Sequence, residues 1–91
     1  MNSIEIESAE YYLTAAEQGD VSAQFNLSVM YANGHGGLVQ DFIFAHVWAT
    51  RAALKGDKEA SLLCDLLTEN MTKQQLDLAK KITQQCRSYR V

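Results

Sequence analysis

Proline is absent from this 91-residue chain, and glycine occurs only five times. A sheet with many turns needs more of both, so the scarcity favours helices joined by few, short connections. Cysteine is limited to Cys64 and Cys86, 22 residues apart and without CxxC or Cys/His ligand spacing. Neither a disulfide framework nor a zinc site is signalled; the expectation is two reduced, largely buried thiols, and no metal or cofactor. No apolar run approaches the ~20 residues that cross a bilayer. Met1 to Glu7 carry acid where a secretory leader carries Lys or Arg. These absences predict a cytoplasmic protein with no membrane contact, and the length predicts a single domain over 1–91.

Positive charge is also missing from half of the chain. Residues 1–45 hold six acids and no Lys or Arg, whereas residues 46–91 hold eight bases and five acids. Such polarity orients head-to-tail association, steers a charged partner, or simply solvates two faces; at physiological salt its field fades over about 8 Å. Lys73, Lys80, Lys81, Arg87 and Arg90 are the basis for any nucleic-acid reading. Against a net charge of −3 they leave nucleic acid an unexpected partner.

What the chain does contain is a repeat. Ala15-Ala16-Glu17-Gln18-Gly19-Asp20-Val21-Ser22-Ala23 returns as Ala52-Ala53-Leu54-Lys55-Gly56-Asp57-Lys58-Glu59-Ala60, at a constant offset of 37 residues. A period in the range of roughly 20–50 marks stacked helical hairpins, whose units bury their apolar faces only against one another. Each Gly-Asp pair reads as a tight turn: glycine ends one helix in the left-handed conformation and aspartate caps the next. The pattern predicts helices over about 4–18, 21–33, 42–55, 58–69 and 73–88. Asp41 caps the third, after a glycine loop at 33–40 that lacks the strand and the Gly-Lys-Ser/Thr ending of a phosphate loop. Thr72 and Gln75 form a capping box for the fifth, Met71 and Leu76 a staple, and Leu76, Ala79, Ile82, Thr83 and Cys86 one apolar stripe.

Ala23, Leu27, Tyr31, Gly34, Gly36, Asp41, Phe42, Ala45, Trp48, Ala52, Ala53 and Gly56 stand in the order of the SEL-one-like repeat, which this segment resembles. That family is related to the tetratricopeptide repeat. The resemblance implies an all-α fold: a short right-handed α-solenoid of antiparallel helical hairpins, about five helices, with a C-terminal capping helix. It gives one full repeat over about 21–56 and partial repeats on either side. Ser28 stands where the family usually has glycine, the loop is one residue longer than its common form, and Cys64, Asp65 and Thr68 replace Leu, Gly and Tyr in the next unit. At the start, Glu5 and Ser8 replace an aromatic residue and alanine.

The family resembles adaptors that hold protein partners, so the resemblance implies a non-catalytic module presenting a concave groove built by helices two and four. The partner-binding residues would be Phe25, Asn26, Val29, Asn33, Glu59, Leu62, Leu66 and Asn70, provided that helix five does not fold back over Leu62 and Leu66. An extended or helical peptide suits such walls. The alternative is a small self-assembling unit. Helix three is apolar on most sides, from burial at the centre of the stack or from a homodimer contact through Ile43, Phe44 and Val47. No catalytic residues are assigned: His35 falls in a loop and His46 on a helix without an evident partner.

Overall fold

The computed structural model describes the backbone of residues 8–89 and the side chains of residues 8–85. Five helices follow one another: α1 Ala9–Glu17, α2 Val21–Asn33, α3 Phe42–Leu54, α4 Lys58–Glu69 and α5 Lys73–Tyr89. No strand occurs among the described residues. The start of each helix has a local cause. Asp20, Asp41 and Asp57 each accept a hydrogen bond from the backbone N–H three residues on, at 2.9, 3.0 and 3.0 Å. Gly19 and Gly56 take φ of 101° and 100°, which an L side chain rarely adopts. At Thr72 the capping box closes both ways, with the Thr72 N–H donating to Gln75 Oε1 and the Gln75 N–H to Thr72 Oγ1, each at 3.0 Å. Helix one differs from its expected span of 4–18: Ser8 is extended and accepts from the Glu10 N–H, so the helix starts at Ala9. Residues 4–7 of that span lie outside the described residues.

The repeat is also a repeat in three dimensions. Lys55 Nζ donates to the Gly19 carbonyl at 3.0 Å, so the residue before the second Gly-Asp turn ties down the first. Two apolar clusters stack along the chain. In the first, Ala9, Ala16, Ala23, Leu27, Met30 and Trp48 join α1, α2 and α3; in the second, Ala45, Ala49 and Leu67 join α3 and α4, with Tyr31, Ala32, Leu63, Cys64 and Met71 packed against them. The alanines let helix axes approach closely.

Helix α3 is the hub, packing against α2, α4 and α5. The last helix therefore lies chiefly on α3 and does not fold back over α4. Its stripe is confirmed as far as it is described, with Ala79 fully buried and Thr83 nearly so; Cys86 lies outside the described side chains. Residues 37 apart on α2 and α4 differ in a way that explains the seat of α5. Ser28 is fully buried and its hydroxyl donates to the Ala45 carbonyl of α3 at 2.6 Å. The counterpart of Ser28 on α4 is Asp65, which is exposed. A carboxylate there is costly to bury, so α5 does not seat on α4 as α3 seats on α2.

Candidate protein-interaction surface

The eight residues expected to line a groove fall into two places. On α2, Phe25, Asn26 and Val29 are half-buried. Asn26 and Val29 border a cleft of about 170 Å³ together with Tyr12, Met30 and His35, so their neighbours are α1 and the glycine loop. That loop is held in place by the Ala9 N–H, which donates to the Gly36 carbonyl at 3.1 Å. On α4, Leu62 and Leu66 are 65 % and 58 % exposed. One helical turn separates them, on a face flanked by Glu59, Asp65 and Glu69, all exposed. Leu63, at the edge of this face, packs into the second apolar cluster.

Asn33 and Asn70, the amides at the ends of α2 and α4, share a local task. Asn33 Nδ2 donates to the Val29 carbonyl at 3.0 Å and Asn70 Nδ2 to the Leu66 carbonyl at 2.9 Å. The Leu66 carbonyl is one of the last four of α4, which lack a regular helical partner, whereas the Val29 carbonyl lies one residue before the last four of α2; either bond occupies one side of an amide that the sequence alone presents as free.

The apolar circumference of α3 is used mainly within the chain. Val47 is 2 % exposed, whereas Ile43 is half-buried and Phe44 is 40 % exposed with its ring stacked on Tyr31 at 5.6 Å. Ile43, Phe44 and Val47 thus do not form the one exposed patch that their spacing suggests. Helix α5 also covers part of α3 that reads as polar in sequence, including His46, which is buried.

Sequence reasoning missed a polar line through this region. Thr50 Oγ1 lies 3.3 Å from His46 Nδ1 and 3.6 Å from Cys64 Sγ; Thr50 and His46, but not Cys64, line a cleft of about 240 Å³ with Leu54, Lys80, Thr83 and Gln84. The three residues come from α3 and α4 at spacings that carry no motif. Their electrostatics run against nucleophilic chemistry. Burial above all pushes the Cys64 thiol up, with the Asp65 charge adding to it and the Thr50 hydrogen bond opposing. Burial and then the Lys80 charge push His46 down. A protonated thiol and a neutral imidazole, linked only through Thr50, are the reverse of a thiolate–imidazolium pair. Among the described residues no group of His, Cys, Asp and Glu is placed to hold a metal ion, and no helix is long and apolar enough to cross a membrane.

The depressed His46 has a consequence for stability. An unfolded histidine takes up its proton near pH 6.5, above the folded value. Stability from this group is therefore fully present above about pH 6.5 and is lost as pH falls toward the folded pKa. Urea titrations between about pH 7.5 and 5 should show the midpoint falling with pH, and less steeply in His46→Gln. Equal slopes would assign the pH dependence to other groups.

No curated protein and no solved structure matches the chain. The family model described as Sel1 repeat matches residues 5–20 and 21–57, the second span running from the start of α2 through the Gly56-Asp57 turn. With the helical hairpins, the turns repeated at 37 residues and the alanine-lined contacts already in place, that match shows that the chain belongs to the Sel1 repeat family.

Proposed function

We propose that this chain is a non-catalytic interaction module whose partner-facing surface centres on Leu62 and Leu66 of α4, with Phe25 and Val29 at the equivalent positions of α2. Sel1 repeats are generally protein–protein interaction modules. The observation that carries the reading further is the exposure of two leucines, one turn apart, that no helix of the described chain covers. Leucines grouped on one face lose favourable free energy to water that a partner would recover, about 1.5–3 kcal/mol for each side chain fully buried.

The test is capture of partners from a lysate of the source cells by the immobilised protein, quantified by mass spectrometry. The double variant Leu62→Asp, Leu66→Asp should keep its circular dichroism and melting temperature, because both positions are exposed, and should lose capture by about 100-fold or more. Undiminished capture by a folded double variant would remove α4 from the binding surface.

A further inference from the structure

The partner chemistry of the α4 ridge follows from comparing α4 with α2 at the 37-residue spacing, and it rests on the function just proposed. Helix α2 presents Tyr31 and Ala32 to the cluster that holds Leu63, Cys64 and Leu67 of α4; this is how one unit receives the next. The counterparts on α4 are Thr68 and Glu69, both exposed, so the stacking face is polar. The face by which α2 seats α3 is likewise interrupted on α4, where exposed Asp65 replaces buried Ser28. Leu62 and Leu66 lie on neither face. They match Phe25 and Val29, and they are apolar where α4 has become polar in every direction that stacking would use. A further helical unit packed in the manner of the repeat does not account for them.

Two leucines four residues apart form the kind of ridge that enters the groove of another helix. The flanks decide its charge. Going around α4 from this ridge, Glu59, Asp65 and Glu69 lie within about one turn, with Lys58 as the single base. All three carboxylates are exposed. Three exposed acids against one base around a small apolar ridge attract a partner of opposite sign and repel an acidic one. We infer that the Leu62–Leu66 ridge docks a cationic amphipathic helix of a partner protein, with apolar side chains against the leucines and Lys or Arg over Glu59, Asp65 and Glu69.

Two synthetic helical peptides with the same leucine stripe, one flanked by lysines and one by glutamates, provide the probe. Fluorescence anisotropy against the full chain should show the lysine peptide binding about tenfold tighter or more at low salt, with the advantage shrinking as salt rises. Leu62→Asp should abolish the binding, and the double variant Glu59→Lys, Glu69→Lys should reverse the preference; circular dichroism confirms that each variant is folded. Equal or tighter binding of the glutamate peptide, still lost in Leu62→Asp, would overturn the charge assignment and leave the ridge as the binding surface. Binding unaffected by Leu62→Asp would overturn both. Absence of binding by either peptide would overturn the cationic-helix inference alone, since lysate capture tests the surface independently. A concentration-dependent doubling of mass that Leu62→Asp removes would assign the ridge to a second copy of the chain and overturn it as well.

Discussion

Replacing Trp48 with alanine is expected to lower the melting temperature by roughly 12 °C at the least. Trp48 is 6 % exposed and sits among Ala9 and Ala16 of α1, Ala23, Leu27 and Met30 of α2, and its own α3. Three of those five neighbours are alanines. An alanine has no rotamer with which to fill a vacated volume, so the space left by an indole closes only if helix backbones move, and the cost lies in the upper range for a large-to-small change, about 3–5 kcal/mol. A 91-residue domain has a total stability on the order of 5–14 kcal/mol. The Arg51 guanidinium, 4.5 Å above the indole, would lose its aromatic face as well. Thermal unfolding followed by circular dichroism measures the effect, since Trp48 is the only tryptophan in the chain and its fluorescence is lost with it. Trp48→Phe should recover more than half of the loss. A shift under about 5 °C in the alanine variant would mean that α1, α2 and α3 are not pinned together at this side chain.

The features that make Trp48 central were legible in the sequence wherever one residue acts on the backbone next to it. Glycine followed by aspartate at 19-20 and 56-57 predicts a turn because each residue does its work locally: φ near 100° at the glycine, and a carboxylate within 3.0 Å of an N–H three residues on. The Thr72–Gln75 box is of the same kind, and the bounds of α2 and α4 match their expected spans. The Ala-Leu-Tyr and Phe-Ala-Trp periodicities likewise identify the buried stripes of α2 and α3.

What the sequence did not show is which stripe meets which. The apolar face of α5 is evident from Ala79 and Thr83, yet nothing in its spacing selects α3 over α4 as the seat. The decisive residue, Asp65, is informative only when set beside Ser28 at the matching position and when the burial of both is seen. The interaction surface was half legible for the same reason. Leu62 and Leu66 are surplus to the core stripe of α4, which periodicity reveals, and they are exposed as that surplus suggests. Phe25 and Val29 are equally surplus on α2 but are half-buried, Val29 beside a cleft that it shares with Tyr12 of α1 and His35 of the glycine loop. The Cys64–Thr50–His46 line was invisible because it joins two helices through hydrogen bonds between residues that share no motif.

Substitutions at Ser28 should separate the two demands placed on the α2–α3 contact, small size and a hydrogen bond. The hydroxyl donates to the Ala45 carbonyl at 2.6 Å and the residue has no exposed surface, so the side chain lies directly against the backbone of α3. Ser28→Ala removes the bond and keeps the size. Its cost should be about 1 kcal/mol, partly offset because alanine is the better helix former. Ser28→Leu removes the bond and adds volume where the opposing surface is a helix backbone. Overpacking of this kind costs about 1–3 kcal/mol before the hydrogen bond is counted, which together correspond to a fall in melting temperature of roughly 10 °C or more for a domain of this size. The resemblance to a repeat with glycine at this position points the same way, because glycine is smaller still, although in mid-helix it loses about 1 kcal/mol relative to alanine. The expected order of stability is therefore serine, then alanine, then glycine, then leucine, read from urea midpoints at constant slope. If the leucine variant melted with the alanine variant, the closeness of α2 and α3 would not be what excludes a large residue, and the hydrogen bond alone would explain serine.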